Sequence, residues 1–220
     1  MIRNFRLVAF CVIASLLLLA GCSSHPPSAA QFMNVKMKEG EFNNSFIVGA
    51  SLRRGDIYKG TSHIYEDYDD KEDIANTDLS LLLRYSHFVA GGSFENMSFR
   101  FIMGFRSQYI GLQGWGSVET TSLDLHRNNA IPFFGGLMLI EEYPIGEVFR
   151  VGFSEHFSRN VYKVNSHEEG IGFYSSSHYN EFGFGTYLTY KNFSIEFRYG
   201  REIGEPRNRF YFMMHYAVFN

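Results

Sequence analysis

Phe99-Arg100-Phe101-Ile102-Met103-Gly104-Phe105-Arg106 is the stretch that decides the fold. In an extended chain successive side chains point to opposite sides. Phe99, Phe101, Met103 and Phe105 therefore share one face, while Ser98, Arg100, Gly104 and Arg106 share the other. The same period of two returns in Leu79, Leu81, Leu83 and Tyr85, in Phe149, Val151, Phe153 and Phe157, and in Phe182, Phe184 and Leu188. It returns again in Phe193, Ile195, Phe197 and Tyr199, and in Phe210, Phe212, Met214, Tyr216 and Val218. Weaker alternation runs over 46–58, 109–121 and 131–142. Pro26, Pro27, Pro132, Pro144 and Pro206 all stand at a strand start, in turns or near the N-terminus, where a missing N–H does least harm. The pattern predicts an all-β chain.

Three features indicate which face meets which medium. The apolar face is built of Phe and Leu, whereas the other carries Arg, Glu, Ser and Gly, and the chain holds 14 Arg against 6 Lys. Planar guanidinium groups with a few glutamates suit a narrow, hydrogen-bonded lumen. Glycine recurs on the polar face, at Gly104, Gly152, Gly183, Gly185 and Gly200, where a crowded interior leaves little volume. Connections alternate between short turns (143–146, 191–192) and longer polar stretches (123–129, 160–179, 203–208), an asymmetry typical of membrane barrels. The expectation is a single antiparallel up-and-down β-barrel over residues 42–220, with about eight strands from Leu79 onward and ten as the alternative. Phe46 to Tyr58 is then a ninth strand, and a tenth is sought in the acidic stretch 58–73. Arg84, Arg100, Arg106, Arg150, Glu196 and Arg198 form the expected polar network of the lumen. Eight strands enclose an interior that side chains fill, so no open pore is expected. The competing architecture is a periplasm-facing soluble β-barrel or sandwich with the Phe face turned inward.

At the N-terminus, Arg3 and Arg6 precede an apolar stretch from Leu7 to Leu19 that is too short for a comfortable membrane span and ends in Ala20 and Gly21. This is the layout of a cleaved signal helix, residues 1–21. Leu19-Ala20-Gly21-Cys22 resembles the lipobox of bacterial lipoproteins. The resemblance implies cleavage between Gly21 and Cys22, a diacylglycerol on the cysteine sulfur and an acyl group such as palmitate on the new amine. Ser23 in place of aspartate implies sorting to the outer membrane in that family. Cys11 leaves with the signal, so the mature chain has no possible internal disulfide. Residues 22–41, with Pro26 and Pro27, read as a lipidated flexible tether. Loss of Arg3 and Arg6 leaves 18 basic against 23 acidic residues, a net charge of −5, which argues against a nucleic-acid partner. The partners implied are outer-membrane lipid and the lipoprotein-processing and barrel-assembly machinery.

Chemistry is sparse. No phosphate-binding loop, nucleophile elbow, zinc-protease helix or cysteine pair occurs, and no cofactor is expected. The acidic run Glu66, Asp67, Asp69, Asp70, Glu72 and Asp73 lacks the spacing of a calcium loop and reads as a solvated surface loop. His167, Glu168, Glu169 and His178 likewise read as solvated loop residues, so no metal site is expected. His156-Phe157-Ser158, with Glu168, Glu169 and Gly170-Ile171 following, resembles the His-x-Ser strand of the lipid A 3-O-deacylases, and covers about 20 residues. The resemblance implies an esterase in which His156 activates Ser158 while Glu168 or Glu169 orients the ring. Both His156 and Ser158, however, lie on the polar face, away from a lipid substrate. The expected role is therefore non-enzymatic: a lipid-anchored outer-membrane barrel of structural, envelope-organising or small-ligand-binding function. Replacing Cys22→Ala should block acylation and cleavage, leaving a larger precursor on a gel without palmitate label. A processed, labelled variant would refute the lipobox reading.

Overall fold

The alternation is realised as ten strands, each antiparallel to the next, in a computed structural model that describes residues 25–35, 42–56, 71–95, 98–118, 133–168 and 171–219. They are β1 (Phe42–Asp56), β2 (Lys71–Tyr85), β3 (Phe88–Glu95), β4 (Ser98–Arg106) and β5 (Ile110–Val118), followed by β6 (Phe133–Ile145), β7 (Phe149–Glu168), β8 (Ile171–Tyr190), β9 (Phe193–Glu202) and β10 (Asn208–Phe219). β10 also pairs with β1, with Val48 opposite Tyr216 and Leu52 opposite Phe212, so the sheet closes into a barrel with no free edge.

The pleat sorts side chains as the sequence implied. On β4, Phe101 is 62% exposed on the outer face, while its neighbour Arg100 is 1% exposed within. Leu81, Leu137, Phe153, Phe184, Phe197 and Phe210 also face outward. The competing soluble arrangement, with phenylalanines in the core, is therefore not what forms: the polar face lines the interior and the apolar face covers the outside.

Of the two strand counts considered, ten is observed. The tenth strand does not come from 58–73; residues 57–70 lie outside the described residues, and Glu72 and Asp73 belong to β2. It is β3, whose alternation is interrupted by Gly91 and Gly92. A Cβ at Gly92 would stand 2.6 Å from the Phe99 ring, and one at Gly91 would stand 2.0 Å from the Leu81 carbonyl oxygen. Close approach to both neighbouring strands has replaced the apolar residues that would have marked the segment. A second correction concerns 160–179, expected as a loop. β7 and β8 continue through it as a long hairpin, paired from Phe149 and Tyr190 to Glu168 and Ile171.

Short connections lie at one rim: Ser86-His87, 107–109, 146–148 and Lys191-Asn192, with Ser86 and Lys191 in the left-handed region at φ 53°. Phe42 and Phe219, the ends of the wall, stand at this rim too. At the opposite rim the wall is uneven, because β3 and β4 stop at Glu95 and Ser98 while β7 and β8 run on.

The largest departure from expectation is residues 25–35. Read from sequence as part of a flexible tether, they are buried throughout and carry a short helix, α1 (Ala29–Asn34), inside the barrel. Residues 22–24 and 36–41 of that tether lie outside the described residues. Barrel diameter grows with strand number, and in a ten-stranded wall this segment occupies the interior that side chains of a smaller barrel would fill. Phe101→Arg would place a charge on the outer face, at a cost of about 2–4 kcal/mol if it meets hydrocarbon near the midplane. Refolding into lipid vesicles, followed by the gel-mobility difference between heated and unheated samples, should show a smaller folded fraction for this variant.

Candidate functional site

The interior is organised around that segment, which runs along the lumen from the short-connection rim toward the opposite one. Its C-terminal end is low. The Val35 carbonyl accepts hydrogen bonds from Arg84 Nη1 (3.2 Å) and from Arg106 Nη1, and the Met33 carbonyl accepts from Arg150 Nη1 (3.2 Å). Arg150 also donates to the Asn34 side chain. At mid-height Gln31 Nε2 donates to Asp78 Oδ2 (3.3 Å), and Ser80 Oγ donates to Gln31 Oε1 (3.2 Å). Higher still, Glu196 receives Ser28 Oγ (2.6 Å) and the Ala30 amide (3.2 Å), while Ser28 Oγ caps the helix by accepting from the Gln31 amide (3.2 Å). Arg198 reaches the carbonyls of Pro26 (3.0 Å) and Pro27 (3.1 Å). At the top, His25 Nε2 lies 2.5 Å from Glu95 Oε1 and 2.8 Å from Ser51 Oγ, and the His25 carbonyl accepts from Arg100 Nη1.

The polarity of this arrangement follows from helix chemistry. The first amides and last carbonyls of a helix have no partner of their own, and the amide end is favoured by negative charge, the carbonyl end by positive. Glu196 meets the amide end; Arg84, Arg106 and Arg150 gather at the carbonyl end. The wall completes the pairing, with Glu142 at 3.7 Å from Arg106 and 3.6 Å from Arg150, Glu95 at 2.7 Å from Arg100, and Glu196 against Arg198. Wall glycines make room: a Cβ at Gly111 would lie 2.7 Å from Met33 Sδ, and one at Gly104 would lie 2.9 Å from the Phe32 ring.

All six residues expected in the lumen network are therefore there, and each touches the segment. What sequence reasoning missed is that the segment is their common partner. Its signal was available in Ser28-Ala29-Ala30-Gln31-Phe32-Met33, a capped stretch of good helix formers with apolar Phe32 and Met33, inside a stretch read as linker.

His156 and Ser158 also face the interior, at 1% and 0% exposure. The carboxylate that His156 meets is Glu181, at 3.0 Å from Nε2, not Glu168. Glu168 ends β7 twelve residues beyond His156, about 40 Å along an extended strand. Glu169 lies outside the described residues, as do Gly21, Cys22 and Ser23. Ser158 Oγ accepts from Asn160 Nδ2 (3.0 Å). Glu181 is held further by Tyr211 OH (2.8 Å) and lies 3.7 Å from Arg209 Nη1, whose guanidinium covers the Tyr179 ring at 3.8 Å and reaches Glu202 at 2.8 Å. This upper cluster is a closed polar network in the wall. Among the described residues, no three His, Cys, Asp or Glu side chains converge in a way that would hold a metal ion.

No family model matches the chain, and no curated protein matches it. Solved barrels resemble it. Neisserial surface protein A aligns over 80% of this chain and 98% of its own at 11% identity, with a TM-score of 0.41. An outer membrane channel from Pseudomonas putida aligns over 89% and 100% at 9% identity, also with a TM-score of 0.41. The N-terminal β-barrel domain of OprF from Pseudomonas aeruginosa aligns over 81% and 100% at 9% identity, with a TM-score of 0.36. No role follows from likeness at this level.

Arg198→Leu would leave Glu196 buried without its cation and take the Arg198 donor from the Pro26 and Pro27 carbonyls, and breaking such a pair costs on the order of 3–5 kcal/mol. Arg207→Leu, at a partly exposed rim pair, should cost well under 1 kcal/mol. Urea midpoints of the refolded proteins in detergent check the contrast.

Proposed function

We propose that this chain is an outer-membrane lipoprotein in which a transmembrane barrel is closed by its own N-terminal segment. Its role on this reading is structural or envelope-organising, not conductive. One observation carries it: an outer face of Phe, Leu and Tyr surrounds a lumen in which residues 25–35 engage Arg84, Arg100, Arg106, Arg150, Glu196 and Arg198. Such a wall finds its favourable surroundings in hydrocarbon, and a filled lumen offers no continuous water path. The signal helix and lipobox resemblance support acylation at Cys22, and Ser23 supports the outer membrane as destination. The barrel-assembly and lipoprotein-processing machineries are then its partners in biogenesis.

The esterase alternative draws no support from the position of Ser158. It is sealed in the interior with Asn160, where no acyl chain in the bilayer reaches it, and His156 is committed to Glu181. A buried polar network of this kind specifies strand register. The mature protein, reconstituted in a planar bilayer, should show no sustained conductance, and membrane fractions should release it only into detergent. Long-lived open steps would refute a closed barrel, and release into water after loss of the lipid would refute a spanning one.

A further inference from the structure

The direction of the lumen segment bears on where the lipid sits. Val35 lies at the short-connection rim, beside Arg84 and Arg106, and from there the segment rises backward in sequence to His25. His25 is level with Ser51, nine residues above Phe42 on β1. At roughly 3.3 Å per residue and a strand tilt near 45°, that is about 20 Å above the short-connection rim. An apolar band is about 25 Å tall, so His25 stands near its upper edge. It touches Glu95, the last residue of β3, and Arg100, near the start of β4. Among the described residues the wall is low here: neighbouring β2 continues seven residues above Asp78, the partner of Glu95.

Cys22 is three residues before His25 and can be at most about 11 Å from it. The periplasmic rim, about 20 Å below, is out of its reach, and the route back is occupied by residues 25–35 and lined by arginines. The low wall at β3 and β4 is within reach, and outside it Phe94 and Phe99 present an apolar surface.

We infer that the mature N-terminus leaves the lumen over the β3–β4 end of the wall, so that the acyl groups on Cys22 enter the outer, cell-surface leaflet instead of the periplasmic one. This rests on the proposed acylation of Cys22. It also sets an order of assembly: the acylated end must lie on the outer side before β1 closes on β10, because no lipid passes through a filled lumen.

A single-cysteine labelling experiment on the full chain tests it. With Cys11 removed and Cys22 acylated, the mature protein has no free thiol, so Ser24→Cys supplies one beside the anchor. A membrane-impermeant maleimide should label Ser24→Cys in intact cells as fully as in permeabilised cells. His87→Cys, in a short turn, should be labelled only after permeabilisation. Labelling of Ser24→Cys only after permeabilisation, or in neither state, overturns the inference. The lipid reading is separated by mass spectrometry of the mature N-terminal peptide and by the chain without Ser24→Cys. If that chain is itself labelled at Cys22 in intact cells, acylation fails while the outward path of the segment stands.

Discussion

The hydrogen bond between a buried guanidinium and a main-chain carbonyl of residues 25–35 is the interaction on which the rest of this structure depends. Arginine stays protonated in a protein interior, so a lumen that takes in Arg84, Arg100, Arg106, Arg150 and Arg198 must supply acceptors or lose several kcal/mol at each. Glu95, Glu142 and Glu196 supply some. The carbonyls of His25, Pro26, Pro27, Met33 and Val35 supply the others. The need is mutual. Pro26 and Pro27 precede the helix and Val35 follows it, so none of these carbonyls is taken up by the helix itself, although that of Pro26 also meets His25 Nδ1 at 2.8 Å. Without the arginines the Pro27 and Val35 carbonyls would lose their buried donors; without the segment Arg84, Arg106, Arg150 and Arg198 would lose their main-chain acceptors.

The strand number belongs to the same constraint. Ten strands enclose more space than lumen side chains fill, and a helix of six residues with its flanks occupies the excess. Only six residues, 36–41, separate the segment from Phe42 at the start of β1. The segment is therefore tied to the start of the wall by a short connection, at a small loop-closure cost. Wall and filling are consecutive in the chain, so the filling is present wherever β1 is.

The upper interior is held by a separate network. His156, Glu181, Tyr211, Arg209 and Glu202 join β7, β8, β9 and β10 through charged hydrogen bonds that are shut off from solvent. Such a network disfavours a slipped register, because moving one strand by a single residue would turn each of these groups outward into the apolar belt. The resemblance of His156-Phe157-Ser158 to an esterase strand is thus carried by two lumen residues with structural partners.

The sequence by itself determined the strands with strong alternation, which face of each is apolar, the start of the barrel near residue 42 and the six charged residues of the lumen. All of these follow from a period of two, which is local. It also carried the signal helix and lipobox pattern, which are linear motifs. Only the tertiary structure decided the count of ten, because β3 exchanges apolar residues for Gly91 and Gly92, and the need for glycine there arises from Phe99 and Leu81 on neighbouring strands. Only the tertiary structure turned a linker into a lumen segment and gave His156 to Glu181. A six-residue helix cannot be stable alone, and its reason for forming lies in arginines as far as Arg198, 172 residues from Pro26, which the closed barrel brings to the two ends of the segment.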